Sequence, residues 1–204
     1  DANANGRRDA GEPGMAGVVV SNQRDVVVTG IEGAFQLTSA GTGVAFVSLP
    51  DGHRMTTSFW APAGRGLAFG LTRASTPPTF TFLHGSDPHT SADSVARLRA
   101  VGAIAEARRP DFVLMTGDLV KDAIRVGEAE AASYYQPYQD EIARFTMPVW
   151  SVPGNHENFG IERHLSLVAA RHPLYGKGMY RARLGPNYYS FTRGGIHFVG
   201  LDTV

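Results

Sequence analysis

The chain has 204 residues, of which 43% are hydrophobic, and its 19 Lys and Arg residues balance its 19 Asp and Glu residues. This composition supports a folded core and excludes global disorder, while the zero net charge argues against a role in binding nucleic acid. Cysteine is absent, which excludes disulfides, thiolate metal sites and cysteine nucleophiles.

The first part of the chain predicts a flexible segment followed by a small β domain. Residues 1–14 are polar and contain Gly and Pro, so we expect a flexible tail. Residues 15–73 hold short runs rich in Val and Phe, separated by turn residues, which favours a small antiparallel β-sandwich. Its strands are predicted at residues 16–21, 25–29, 34–37, 44–49 and 67–71. A stiff linker, ASTPP, follows at residues 74–78.

After this linker the pattern changes to alternating strands and helices. Buried strands are predicted at residues 79–83, 112–115 and 148–152. Helices are predicted at residues 91–108 with Ser91 as the N-cap, at 128–145 with a kink or break at Pro137, and at 161–171. Residues 188–192 and 196–201 predict a hairpin. The alternation is typical of an α/β layer with at least three parallel strands.

A polar loop follows each of the three buried strands. These loops read DPH at residues 87–89, GD at 117–118 and GNHE at 154–157. The carboxyl ends of parallel strands share one edge of a sheet, so we expect these side chains to meet. Carboxylates, imidazoles and an amide, without sulfur, suit hard or borderline divalent metals. Two such metals can clamp phosphate oxygens and lower the pKa of a bound water, which indicates phosphoryl transfer.

The order D-x-H, G-D and G-N-H-E, each after an apolar strand, resembles the calcineurin-like metallophosphoesterases. The flanking segments FLHGSDPH, DFVLMTGDLV, PVWSVPGNHE and GPNYYSFTRGGIHFVGLD are also similar to that family. The resemblance covers residues 79–204 and implies an α/β fold, an αββα sandwich, preceded here by the small β-sandwich. Residues 16–54, with the phrases GVVVSN and FVSLPDG, resemble the small β domain that precedes some secreted bacterial members.

The resemblance implies a dinuclear metal site and assigns its ligands. Asp87 and His89 would ligate the first metal ion, Asp118 would bridge both ions, and Asn155 would ligate the second. The ions would be divalent Mn, Fe or Zn, among which these ligands do not choose.

The resemblance also implies two catalytic roles beside the metals. His156 would face the substrate and either stabilise the phosphoryl group or protonate the leaving oxygen. Glu157 would hold the imidazole of His156 in orientation, where many members carry Asp. Read from the sequence alone, Glu157 could instead be a solvated acid of the loop.

The end of the chain departs from the family pattern. Members carry further metal-binding histidines, a lone His and then a Gly-His-x-His segment, and these are not found here. The expectation is therefore an enzyme cut within its fold, with the C-terminal part of the metallophosphoesterase domain missing. The start at Asp1 likewise suggests a processed or trimmed N-terminus. A sheet face without its cover would expose apolar area.

Several other polar residues are expected to have structural roles. His84 would be a satisfied edge histidine, and His197 a strand residue packed in the sheet. The remaining histidines outside the three loops, and the arginines of the first helix, are expected at the surface. They are His53, His164, His172, Arg97, Arg99, Arg108 and Arg109.

The resulting hypothesis is a metal-dependent phosphoesterase that hydrolyses phosphate monoesters or diesters, with pyrophosphates also open. A small-molecule phosphate ester is the expected partner, and nucleic acid enters only as a phosphodiester substrate. The alternative is a catalytically inactive fragment whose β-sandwich serves as a binding or docking module. The longest apolar runs, such as residues 43–49, are too short to span a membrane. The resemblance favours a periplasmic or extracellular location in a bacterium.

Overall fold

A computed structural model describes all 204 residues, which divide into two compact units. The first unit comprises Asp1–Thr79 together with Tyr188–Gly200. The second unit comprises Phe80–Asn187 together with Leu201–Val204. The structure is therefore a mixed α/β protein with several separate sheets.

The first unit is built from eight short strands. They are β1 (Val19–Ser21), β2 (Val26–Val28), β3 (Val44–Ser48), β4 (His53–Met55), β5 (Trp60–Pro62), β6 (Leu71–Arg73), β10 (Tyr189–Arg193) and β11 (Ile196–Gly200). An antiparallel sheet has the order β2-β1-β3-β5, and β4 pairs with β6. A buried core cluster of the first unit consists of Val18, Val20 and Val47. The predicted strands at 34–37 and 67–71 are not formed, and β4 and β5 were not expected. A packed β-sandwich stays a prediction.

The first fourteen residues form a hydrogen-bonded loop, although the sequence predicts a flexible tail. The carboxylate of Asp1 accepts the backbone N–H groups of Asn5 and Gly6 at 3.1 and 2.8 Å. The carboxylate of Glu12 accepts the N–H groups of Ala2 and Asp9 at 2.7 and 3.1 Å. Short polar side chains that bond to nearby backbone can order a segment that has no apolar periodicity.

The hairpin of β10 and β11 forms as predicted, with Phe191 opposite Phe198. The sequence places it in the domain of residues 79–204, and in the structure it lies in the first unit. Thr192 N–H donates to the carbonyl of Leu49 at 2.8 Å. The carboxylate of Asp51 accepts the N–H groups of Gly194 and Gly195 at 3.0 and 2.8 Å. These bonds to a backbone carbonyl and to a carboxylate fix the hairpin to the first unit, and they have no signature in the local sequence.

The second unit contains a parallel sheet of three strands and four helices. Its elements are β7 (Phe82–Gly85), α1 (Ala96–Arg108), β8 (Phe112–Thr116), α2 (Glu128–Ile142), β9 (Val149–Val152), the 3-10 helix Asn155–Glu157, α3 (Arg163–Ser166) and α4 (Gly178–Leu184). The strand order is β7-β8-β9, and both pairings are parallel. Leu98, Val113, Met115, Tyr135 and Tyr138 are among the fully buried residues of its core. The predicted parallel layer is therefore present.

The helices differ from the predictions mainly at their ends. α1 begins at Ala96 and not at Ser91, because the Ser91 side chain bonds to Ser94 in a preceding turn. α2 continues through Pro137 without a break. The predicted helix at 161–171 shortens to α3, which ends at Leu167 with a left-handed φ of 58°. None of the helices combines the length and the apolar character needed to cross a bilayer.

Candidate metal centre

The three polar loops lie side by side because the parallel pairing continues beyond the strands. Asp87 N–H donates to the carbonyl of Gly117, and His89 N–H donates to that of Asp118, both at 3.0 Å. On the other side, Gly117 N–H donates to the carbonyl of Val152 at 3.0 Å. These bonds bring the three loops to one edge of the sheet, as the alternation of strands and helices predicts.

Three predicted ligands have a left-handed backbone. The φ angles are 57° at Asp87, 44° at His89 and 49° at Asp118. Asp and His tolerate this region better than most residues, but each such residue still costs about 1 to 3 kcal/mol. Backbone strain concentrated in two adjacent loops is typical of a functional site.

His89, Asp118 and His156 bring their ligand atoms together at the centre of this edge. One nitrogen or oxygen from each residue lies within 4.8 Å of the others. Asp118 Oδ2 lies 3.8 Å from His89 Nε2 and 3.9 Å from His156 Nε2. The two imidazole rings meet edge to face, with centroids 4.6 Å apart. Asp118 is therefore the residue that both imidazoles face.

The other two predicted ligands lie at the margin of this cluster. Asp87 Oδ1 lies 4.0 Å from His89 Nε2, and the Asp87 side chain is 61% exposed. Asn155 begins the 3-10 helix and is exposed. Asp87 thus borders the His89 side of the cluster, while Asn155 immediately precedes His156 in the third loop.

His156 is oriented by backbone groups. Its Nδ1 lies 2.5 Å from the carbonyl oxygen of Lys121, which accepts a hydrogen bond from the protonated Nδ1. Its backbone N–H donates to Asp118 Oδ1 at 3.2 Å. The Nδ1 bond leaves Nε2 directed at Asp118. Lys121 was not singled out in the sequence, because a carbonyl that orients a histidine has no side-chain signature.

The carboxylate of Glu157 bonds to backbone N–H groups and not to the imidazole of His156, whose Nδ1 bonds to Lys121. Glu157 Oε1 accepts the N–H of Val120 at 2.9 Å and its Oε2 accepts the N–H of Gly154 at 2.6 Å. The residue is fully buried, so the alternative of a solvated loop acid is wrong. Burial raises the pKa of Glu157 to about 7, with a further upward contribution from the charge of Asp118, while the backbone N–H donors lower it. Glu157 therefore ties the second loop to the third.

Two glycines allow these loops to approach each other. Gly117 has a φ of 84°, and a Cβ at this position would lie 3.0 Å from the Cα of Gly154. A Cβ on Gly154 would lie 2.3 Å from Asp118 Oδ1 and 2.4 Å from its backbone nitrogen. Only glycine fits between the third loop and Asp118 without a shift of one of them.

Replacing Gly154 with Ala should therefore displace Asp118 from the cluster. We expect metal affinity to fall by about tenfold to a hundredfold, as it does when groups that support metal ligands are altered. Titration of the chelator-treated protein with Mn²⁺ by calorimetry measures this. The control is Gly127→Ala, since a Cβ on Gly127 meets nothing within 4 Å. Equal affinity of Gly154→Ala and the unmodified chain would contradict the steric argument.

The remaining histidines do not join the cluster. His84 Nε2 bonds with Thr116 Oγ1 at 2.8 Å, as expected for an edge histidine. His197 lies in β11 as predicted and its Nδ1 bonds with Thr192 Oγ1 at 2.9 Å, but its side chain is exposed and not packed. His172 Nε2 lies 3.2 Å from Glu128 Oε2. His53 Nδ1 lies 2.9 Å from the carbonyl oxygen of Asp51.

A family model for calcineurin-like phosphoesterases matches residues 80–202, which include every residue of the cluster. The chain belongs to the calcineurin-like phosphoesterase family. No curated protein matches the chain significantly. Membership indicates a hydrolase that acts on phosphoester bonds with the help of divalent metal ions.

The donor set of this calcineurin-like phosphoesterase fits a divalent cation. The separations of 3.8 and 3.9 Å between Asp118 and the two imidazoles are too long for hydrogen bonds, and they suit groups that share an ion. Imidazole nitrogen and carboxylate oxygen are ligands of Zn, Fe and Mn. The bond from His156 Nδ1 to a carbonyl is the outer support that such an imidazole requires. The cluster could therefore hold a metal ion, with His156 Nε2 either as a third ligand or directed at the substrate of an ion held by His89 and Asp118.

Proposed function

We propose that the protein hydrolyses phosphate monoesters or diesters through two divalent metal ions. The observation that carries this proposal is the convergence of His89, Asp118 and His156 at the carboxyl edge of the parallel sheet. Family membership supplies the reaction class. The partial exposure of the three side chains supports a substrate that enters from solvent.

The first ion is assigned to Asp87, His89 and Asp118, and the second to Asp118 and Asn155. Asp118 supports the bridging role because Oδ2 faces both imidazoles while Oδ1 accepts the N–H of His156. Asp87 supports the assignment to the first ion through its distance of 4.0 Å from His89 Nε2. When bound, Mn, Fe or Zn ions neutralise phosphate oxygens and activate a water for attack on phosphorus.

His156 is assigned to the substrate, as the group that protonates the leaving oxygen. Its Nδ1 proton is held by the Lys121 carbonyl, so the proton that is transferred resides on Nε2. Glu157 acts as a positioning residue, because it holds Gly154 and Val120 and so fixes the backbone before His156 and after Asp118.

The location and the role of the first unit are also proposals. We propose that the protein lies in the bacterial periplasm or outside the cell, because residues 16–54 are similar to the β domain of secreted members. That similarity also supports a β-sandwich, with the sheets β2-β1-β3-β5 and β4-β6 as its two layers.

The direct test is hydrolysis of p-nitrophenyl phosphate and bis(p-nitrophenyl) phosphate by the purified chain. We expect turnover with added Mn²⁺ or Zn²⁺ and a return to background with chelator, because the site has no other electrophile for the phosphate oxygens. Readdition of metal should restore the rate. Turnover that chelator leaves unchanged, or no turnover of either ester with any of these metals, would overturn the proposal.

Replacing His156 with Ala should reduce the rate without removing the metal. We expect a loss of about a hundredfold to ten-thousandfold, the usual contribution of a general acid. The loss should be larger for an alkyl phosphate than for the nitrophenyl ester, whose leaving oxygen needs less protonation. Metal content by elemental analysis should stay equal to that of His164→Ala, a control on α3. A fall in metal content would instead make His156 a ligand and contradict its assignment.

A further inference from the structure

The first unit contains a cavity, open to solvent on one side, that the hydrolytic site does not use. Its volume is about 300 Å³. The buried core residues Val18, Val20 and Val47 form its floor. Phe35 and Phe69, whose rings stack with centroids 6.2 Å apart, form one wall. The cavity is thus apolar inside and lies within one unit of the protein.

The cavity is of the size that small ligands occupy. An apolar cavity of about 150 Å³ can hold a benzene molecule, and ligand pockets begin at about 300 Å³. Phe35 and Phe69 are only partly buried, so part of their apolar surface remains open to the cavity. The cavity is therefore large enough for an apolar group the size of a short acyl chain or two rings.

The rim of the cavity carries two arginines and two acidic residues. Arg7 and Arg8 line it, both are exposed, and neither side chain has a partner among the contacts of the structure. Glu32 is one acidic residue on the rim. The other is Asp1, whose carboxylate already accepts two backbone N–H groups. Two guanidinium groups therefore remain available to an anion, and guanidinium suits carboxylate and phosphate oxygens.

We propose that this cavity binds a small amphiphilic anion, with an apolar body inside and one anionic head at the arginines. The apolar part of the ligand is bound by burial against the apolar floor of the cavity. Its anionic group is bound by charge-assisted hydrogen bonds from Arg7 and Arg8. None of the metal-centre residues lines the cavity, so this binding is independent of the hydrolytic reaction.

The test uses octanoate as the anionic probe and octylamine and 1-octanol as probes of equal chain length. Calorimetry on the full chain with chelator present removes any binding of carboxylate to metal. We expect saturable binding of one octanoate, and affinity lower by about tenfold or more for the amine and the alcohol. Absence of saturable octanoate binding overturns the proposal, and so does equal binding of the alcohol.

Two kinds of variant locate the binding. Ala34→Trp and Ala68→Trp fill the cavity from exposed wall positions and should each abolish octanoate binding. The double variant Arg7→Ala with Arg8→Ala should weaken octanoate by about tenfold or more and leave octanol unchanged. The control is Arg24→Ala, an exposed arginine outside the cavity. Circular dichroism and the urea midpoint confirm folding, and octanoate affinity unchanged by either tryptophan in a folded chain overturns the proposal.

Discussion

Replacing Asp118 with Asn should reduce metal-dependent hydrolysis by about a thousandfold or more. Asp118 is the only carboxylate that both imidazoles of the cluster face, with Oδ2 at 3.8 and 3.9 Å from their Nε2 atoms. Asn keeps the size of the side chain but removes its negative charge. A bound metal contributes several kcal/mol to a phosphoryl-transfer transition state, and about 4 kcal/mol corresponds to a thousandfold in rate.

The measurement combines initial rates on both nitrophenyl esters with metal content by elemental analysis. Asp122→Asn is the matched control, because Asp122 lies in the same loop and instead bonds with Ile124 N–H and Arg125. We expect the control to keep the rate within about threefold, as is usual for an exposed ion pair. A rate for Asp118→Asn within tenfold of the unmodified chain would refute the central role of this carboxylate.

Replacing Glu157 with Ala should lower the free energy of unfolding by about 3 kcal/mol or more. The substitution leaves the N–H groups of Val120 and Gly154 without their partner, and each unsatisfied buried donor costs about 1 to 3 kcal/mol. Urea unfolding of the chelator-treated protein measures the change. Glu162→Ala is the control, since the Glu162 side chain is 34% exposed and pairs with Arg125. A change below about 1 kcal/mol for Glu157→Ala would show that water replaces the carboxylate.

The same residue should make the stability of the metal-free protein depend on pH. Burial raises the pKa of Glu157 from 4.5 to about 7, so between these values the folded state holds a proton that the unfolded state has lost. The stabilisation from this proton is complete below about pH 4.5 and is lost as the pH rises through about 7. The shift corresponds to about 3 kcal/mol.

Glu157→Gln isolates this contribution, because glutamine does not titrate. We expect the unfolding free energy of the unmodified chain, minus that of Glu157→Gln, to fall by about 3 kcal/mol between pH 4.5 and pH 8 with chelator present. A difference that stays constant across this range would mean that the two backbone donors hold the carboxylate ionised throughout.

The parallel sheet and its three polar loops were predictable from sequence because each strand is a short apolar run. Once the strands at residues 82–85, 112–116 and 149–152 are parallel, chain geometry brings their following loops to one edge. The cluster of His89, Asp118 and His156 follows from this placement together with the residue types. The strong local pattern of the strands therefore made the position of most of the site residues predictable.

Other features depend on bonds from a side chain to a backbone group, whose position residue types do not encode. The carbonyl of Lys121 orients His156. The N–H groups of Val120 and Gly154 donate hydrogen bonds to the carboxylate of Glu157. No sequence motif marks either set of hydrogen bonds. The prediction that Glu157 orients His156 therefore rested on the family resemblance alone. Helix α4 was missed for a related reason, since its seven residues are too few to show a clear period.

The bonds from Gly194 and Gly195 to Asp51 join residues 143 and 144 positions apart. They make the first unit discontinuous, so its final strands leave the ribosome only after the whole of residues 80–187 has been synthesised. Contacts of such long range slow folding, because a long loop must close before they form. During translation, the carbonyl of Leu49, which follows β3, therefore lacks its hydrogen-bond donor until Thr192 has been synthesised.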